Sequence, residues 1–315
     1  MATRQRNRNH SQPKAQKYTI ADFNAEFPND DACLNHVFYA RWPDGITVCD
    51  SKTCGNAERR HHRVSGRTAF ACDYCGKHIY PLAGTIFEKT TTPLKLWFYA
   101  MYLMGSTRCG ISAKQIQRET GVTYKTAWRM FKQIRTLMSE DIRLEGSSVE
   151  CDETYVGGLE KNKHLGRRGG NRGRSTNTKA TVFGIVERKG RVIARVTPDA
   201  KEKTILPIMA ERILPASTVY TDSYTTYDKV GAMPQGYAHH RINHSERVYV
   251  MGHVHTQTIE GFWSLLKRGI GGVYHSVSRK YLQSYCDEYA YRYNHRDDRQ
   301  PMFTSLLSEV CERAS

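Results

Sequence analysis

Apolar positions along the chain follow two periods, and the change from one to the other falls near Gly146. The run PLKLWFYAMYLMG (93–105) is apolar almost throughout, with Pro at its first turn and Gly105 past its end, which predicts a buried helix. Ser112 then caps SAKQIQRET, Gly121 turns the chain, and Thr123 caps a longer helix whose apolar residues Ala127, Trp128, Phe131, Ile134 and Met138 recur every three or four positions. Beyond Gly146, SSVECDETYVGG (147–158) alternates as a strand, with Val149, Cys151 and Glu153 on one face and Glu150, Asp152 and Thr154 on the other. KATVFGIVERKG and RVIARVTP read as two strands joined at Lys189-Gly190, 201–214 as a helix, and 217–221 as a short buried strand that delivers Asp222. HTQTIEGFWSLLKRG (255–269) returns to the helical period. Ile259, Phe262, Trp263, Leu266 and Ile270 form one stripe, and Glu260, Ser264 and Lys267 form another, because seven residues span nearly two turns.

Helix, glycine turn, helix is the helix-turn-helix arrangement, and its second helix would present Tyr124, Lys125, Arg129 and Lys132 outward. A plain packing unit with a solvated basic face is the alternative, and the charge of the chain bears on the choice. Lys and Arg number 47 against 31 Asp and Glu among 315 residues, a net charge of +16, with a pI near 9.5. Arg4, Arg6, Arg8, Lys14 and Lys17 precede the first acid, Asp22, and make a basic arm. Lys161, Lys163, Arg167, Arg168, Arg172, Arg174 and Lys179 follow one another without an acid, interleaved with glycines, and cannot form a core. Two such segments favour double-stranded DNA as the partner, with Arg167, Arg168, Arg172 and Arg174 as contacts beside the helical basic face. The apolar content of 39% is that of a folded chain. Its longest apolar run, Leu96 to Met104, is far short of the roughly 20 residues a membrane-spanning helix needs. The first residues have no apolar signal core, so a cytoplasmic, nucleoid-associated protein is expected, or a nuclear one in a eukaryote.

Cysteine spacing adds a metal. Cys49-x4-Cys54 and Cys72-x2-Cys75 are two short-spaced pairs separated by a hairpin-length insert, a pattern that converges four thiolates on Zn2+. Gly55 and Gly76 directly follow the second Cys of each pair, where a knuckle needs a positive φ. The first pair is wide and leaves His61 or His62 as alternative ligands. Cys33, Cys109, Cys151, Cys286 and Cys311 read as packing residues.

Asp152 and Asp222 each end an apolar strand, and Glu260 shares a helix face with Lys267. The order strand, hairpin strands, helix, strand is that of a ribonuclease H-like core, in which the two acid-bearing strands are neighbours. Carboxylates held within about 4 Å repel by a few kcal/mol at an effective dielectric near 20, a cost that divalent cations remove. Hard oxygen ligands suit a two-metal Mg2+ or Mn2+ site, and Lys267 would meet a phosphate or orient the attacking group. Asp228, Glu246, Asp287, Glu288 and Asp297 read as solvated or ion-paired acids.

CDETYVGG, VYTDSYTTY, HTQTIEGFWSLLKRGIGGVYHSVSRKYL and DEYAYRYNHR, with GISAKQIQRETGVTYKTAWRMFKQIR upstream, resemble the insertion-sequence DDE transposases that carry an N-terminal zinc ribbon, relatives of the eukaryotic Merlin elements. The resemblance covers about 45–300. It implies an α/β multidomain chain of zinc ribbon (45–88), helix-turn-helix region (89–142) and ribonuclease H-like catalytic domain (146–295); the basic arm and a helical segment (1–44) precede these, and a C-terminal helical tail (296–315) is expected after them. It implies Asp152, Asp222 and Glu260 as metal-binding acids with Lys267 as the accompanying basic residue, cleavage and strand transfer at terminal inverted repeats, and at least a homodimer. The family commonly has Asn where Gln257 stands, and another acid is the alternative third ligand. The six histidines from His239 to His275 surround the third acid, His255 being a weak catalytic candidate. Other functional readings are a captured, catalytically silent transposase acting as a DNA-binding regulator, a metal-dependent nuclease without strand transfer, and a tyrosine recombinase using Tyr155, Tyr220 or Tyr224, which the acidic set disfavours.

Overall fold

The computed structural model describes residues 18–107, 109–157, 179–242 and 256–313. In chain order its elements are α1 (Ile20–Glu26), α2 (Asp30–Arg41), β1 (Ile46–Cys49), β2 (Ala57–Arg63), β3 (Phe70–Cys72), β4 (His78–Ile79), α3 (Leu94–Ser106), α4 (Ala113–Thr120) and α5 (Tyr124–Leu137). They continue with β5 (Ser148–Val156), β6 (Ala180–Glu187), β7 (Val192–Thr197), α6 (Glu202–Arg212), β8 (Thr218–Asp222), β9 (Ala238–Ile242), α7 (Gln257–Gly269), α8 (Leu282–Asn294) and α9 (Met302–Glu312). Among the described residues no helix is long and apolar enough to cross a membrane. The chain forms two compact units: one of the residues up to Thr107, Ile116–Leu137 and the chain from Asp297 on, the other of Arg108–Gln115 and Met138–Arg296.

In the first unit an aromatic core joins helices distant in sequence. The Phe27 ring meets Phe98 of α3 at 4.9 Å and Phe303 of α9 at 5.9 Å, and Phe23 stacks on Tyr102 at 5.4 Å. Gly105 lies inside α3 rather than past its end. A Cβ there would stand 2.9 Å from the Phe303 backbone nitrogen, so the missing side chain lets α9 cross close to α3. Strands β1 to β4 form an antiparallel sheet in sequence order. Ser112 Oγ accepts the Gln115 N–H and Thr123 Oγ1 the Thr126 N–H, and Gly121 between them has φ +72°. Both helices thus start on the expected caps.

The second unit is a five-stranded sheet in the order β7-β6-β5-β8-β9, with β6 and β7 antiparallel to their neighbours and β8 and β9 parallel to β5. Strand alternation sends Val149, Cys151, Phe183, Ile185 and Val219 to one face, under Ile205 and Met209 of α6. Val182, Val186, Val192 and Ala194 go to the other, under Ile259, Phe262, Trp263 and Leu266 of α7 and Leu282, Cys286 and Tyr289 of α8. The outer edge of β7 is closed by side-chain amides of α8. Asn294 bonds the Val192 N–H and carbonyl, and Gln283 bonds the Val196 N–H and the Ala194 carbonyl. These contacts satisfy backbone groups that an open sheet edge leaves unpaired. Asp287, expected as a solvated or ion-paired acid, is half-buried on α8 and accepts the Gln283 amide at 2.7 Å. Glu288 is ion-paired as expected, but fully buried against Arg292 at 2.8 Å. Cys109, expected to pack, is exposed, while Cys33, Cys151, Cys286 and Cys311 are buried.

Candidate active site and metal centre

The four ribbon sulfurs lie within 4.8 Å of one another, with Cys49 and Cys75 at 3.5 Å and Cys54 and Cys72 at 3.8 Å. Sulfurs around a tetrahedral zinc with Zn–S of about 2.3 Å stand roughly 3.8 Å apart, so the cluster fits that ion. Both knuckles turn at glycines of positive φ, Gly55 at +59° and Gly76 at +72°. The Ser51 carbonyl accepts the N–H groups of Cys54 and Gly55, and the Cys72 carbonyl that of Gly76. The wide first pair therefore closes as well as the second. The two histidines point to other partners: His61 Nδ1 to the Arg59 carbonyl at 3.0 Å, and His62 to the Asp73 carboxylate. The ribbon supports a structural zinc on Cys49, Cys54, Cys72 and Cys75.

Asp152 and Asp222 come from neighbouring parallel strands. The β5–β8 register pairs Glu150 with Tyr220, two residues before each aspartate, so the two acids stand at the same level on adjacent strands and on the face toward α7; Asp222 ends β8 as expected, whereas Asp152 lies in the middle of β5, which continues to Val156 along β6. Trp263 of α7 donates its indole N–H to Asp152 Oδ2 at 2.9 Å. The indole reaches this far because the residue opposite Asp152 on β6 is Gly184, where a Cβ would stand 2.6 Å from the Trp263 ring. Burial, together with the charges of Glu153 and Asp222, pushes the Asp152 carboxyl up to about 7. Asp222 Oδ1 accepts the Tyr224 N–H at 2.9 Å. Glu260, Ser264 and Lys267 all lie on the exposed side of α7, and Glu260 Oε1 accepts the Thr256 hydroxyl at 3.2 Å. Among the described residues only the four cysteines form a group of three or more potential ligands within 4.8 Å, so the three carboxylates are not drawn together to that distance.

Two matches to known families fall on these two centres. Residues 28–78 match the transposase zinc-ribbon domain and 143–294 the ISXO2-like transposase domain. A transposase-like protein of Haemophilus influenzae is 30% identical over 122 residues, which are 94% of its length and 39% of this chain. The chain belongs to the ISXO2-like insertion-sequence transposases. A protein in transposable element ISH50 of Halobacterium salinarum is also similar, with 29% identity over 269 residues covering 82% of this chain and 89% of that protein.

The other expected contacts of the transposase are distributed unevenly. Tyr124, Lys125, Arg129 and Lys132 are all exposed on α5, whose opposite side buries Ala127, Met130, Phe131 and Ile134. Met130 takes the buried position expected of Trp128, which is only half-buried. Arg129 also lies 5.7 Å over the Trp97 ring, so it packs as well as faces outward. Arg167, Arg168, Arg172, Arg174, Glu246, His255 and the basic arm lie outside the described residues. Among the remaining histidines, His239 bonds Thr221 Oγ1 at 2.9 Å, and burial lowers it to about 4.

Three polar residues of this region are not apparent from sequence periodicity. Trp263 reads only as part of the apolar stripe. Glu153 faces the α6 side of the sheet and accepts the buried Tyr227 hydroxyl at 2.8 Å. Glu150 is fully buried. An alternating carboxylate beside Asp152 reads as an exposed position, and it is Arg188 and the start of α7, both remote in sequence, that bond it.

Proposed function

We propose that this transposase binds the terminal inverted repeats of its element and carries out divalent-metal-dependent strand cleavage and strand transfer, with Asp152, Asp222 and Glu260 as the metal-holding acids. The observation that carries the reading is the placement of Asp152 and Asp222 at the same level on adjacent parallel strands, with Asp152 raised to about 7 partly by the charge of Asp222. Two half-buried carboxylates side by side on neighbouring strands are a donor set suited to a hard divalent cation. The strand order, with β8 and β9 parallel to β5, supports a ribonuclease H-like catalytic domain.

Bound Mg2+ or Mn2+ would supply activation of a water or 3′-hydroxyl and stabilisation of the leaving oxygen of the phosphodiester. Asp152 and Asp222 hold the charge, and the Trp263 indole fixes the orientation of the Asp152 carboxylate. Glu260 adds the third carboxylate, and Lys267, two turns along the same face, meets a substrate phosphate. Tyr124, Lys125, Arg129 and Lys132 on α5, with the ribbon, bind the repeat, and Arg167, Arg168, Arg172 and Arg174 bind DNA backbone. Joining two element ends in one complex calls for at least a dimer.

The test is incubation of a supercoiled plasmid bearing the terminal repeats with Mg2+ or Mn2+, comparing wild type with Asp152→Ala and Asp222→Ala. Metal-dependent 3′-hydroxyl ends and joined products that vanish in both variants are expected. Salt-sensitive repeat binding with no cleavage by wild type in either metal would instead make the protein a DNA-binding regulator.

A further inference from the structure

Strand β5 carries a fully buried carboxylate that the proposed chemistry does not use. Glu150 lies two residues before Asp152 on the same strand face and is fully buried. Its Oε2 accepts the backbone N–H of Thr258 at 2.8 Å and of Ile259 at 3.1 Å, and its Oε1 accepts the Thr258 hydroxyl at 2.9 Å. The Arg188 guanidinium also bonds it, with its Nε 3.0 Å from Oε1.

The amides involved belong to the second and third residues of α7, and no residue of the helix itself serves them. Thr256, at the N-cap position, makes no side-chain capping bond. First-turn N–H groups have no partner within a helix, and a side-chain oxygen that takes those of the second and third residues is the usual cap. Here that oxygen comes from a strand, 108 residues away. Its negative charge also suits the positive end of the helix dipole. Arg188 in turn lies 3.8 Å over the Tyr220 ring, two residues before Asp222 on β8. One column, Arg188–Glu150–Tyr220, therefore lies just before both aspartates and holds the start of the helix that carries Glu260 and Trp263.

We propose that Glu150 is a positioning residue of the acid site, an external cap from β5 that sets where α7 sits along the strand and so where Glu260 stands relative to Asp152. The proposal rests on the reading of Asp152, Asp222 and Glu260 as metal-holding acids. A carboxylate that merely filled space would be replaceable without local effect. A cap shared between strand and helix is not, because its loss frees the first turn of α7 alone.

The experiment uses the full-length, zinc-loaded protein and the variant Glu150→Gln, with two readouts. In the absence of added Mg2+ or Mn2+, amide hydrogen exchange in the peptide spanning 256–262 is expected to rise about tenfold, with β5, β6 and α8 nearly unchanged. The Mn2+ concentration giving half-maximal cleavage is expected to rise by about tenfold or more, with most of the rate recovered at excess Mn2+. If Glu150→Gln does not fold, the double variant Glu150→Gln/Arg188→Met removes both charges and carries the same readouts. Exchange that rises uniformly with an unchanged Mn2+ midpoint, or no change in either readout, overturns the proposal. Asp152→Ala is run in parallel. If it keeps metal-dependent cleavage, the acid-site reading itself fails. If it is inactive while Glu150→Gln matches wild type in both readouts, only the positioning role fails.

Discussion

At the scale of single residues, burial decides more than residue type. Asp287 stands at the end of its Gln283 hydrogen bond with its carboxyl raised by burial to about 6, above the roughly 3.9 of an unfolded aspartate. A carboxyl raised on folding favours the protonated native state, so its ionisation cost is absent near pH 4, builds as pH rises through 6, and is complete above it. Asp287→Asn, which keeps an acceptor for Gln283, is therefore expected to match wild type near pH 4 and to be more stable by about 1–2 kcal/mol at pH 8. Urea melts at the two pH values measure this. Trp263→Phe removes a donor to ionised Asp152 and is expected to raise that carboxyl further above about 7, moving the pH–rate profile of cleavage to higher pH. An unmoved profile would mean that the indole does not tune Asp152. Asp152 and Asp222 are legible as acids carried on apolar strands, although only Asp222 stands at a strand end and Asp152 lies in the middle of β5. Glu150 is not, because it is bonded by Arg188 and Thr258, which nothing local to β5 announces.

At the scale of elements, periodicity reveals the helices better than the sheet edges. The stripes of α3, α5 and α7 and the alternation of β5 are all visible in sequence, since each buries one face against a large core. Strand β9 has no such signal: AHHRI has one buried residue, Ile242, and its pairing with β8 is stated by backbone bonds rather than by apolar pattern. The same limit hides the role of Gly184, whose lack of a Cβ admits the Trp263 ring. Gly184→Ala is expected to destabilise by about 1–3 kcal/mol and to reduce cleavage beyond that loss by displacing α7, as thermal melts and activity at matched folded fraction would reveal. In the ribbon, short strands and few buried apolar residues leave stability to the metal. One zinc per chain is expected by elemental analysis, and Cys72→Ser or a strong chelator should release it and unfold β1 to β4, detected as loss of amide protection there.

At the scale of the whole molecule, the net charge of +16 makes affinity for DNA a function of salt. If Lys125, Arg129 and Lys132 neutralise phosphates, replacing all three with Gln should flatten the slope of log affinity against log salt by about 0.9 for each phosphate left without its cation. An unchanged slope would assign the repeat to another surface. The family match to 143–294 and the ribbon match to 28–78 place a transposase domain and a zinc ribbon on one chain, and the acids of the first are the centre of the proposed chemistry. The most direct measurement is anomalous diffraction from crystals of the full-length protein soaked in Mn2+. The expected result is Mn2+ peaks about 2.1–2.2 Å from carboxylate oxygens of Asp152 and Asp222, with Glu260 brought into the same coordination sphere. Mn2+ absent from both aspartates in crystals that keep zinc at the four cysteines would contradict the proposed acid site.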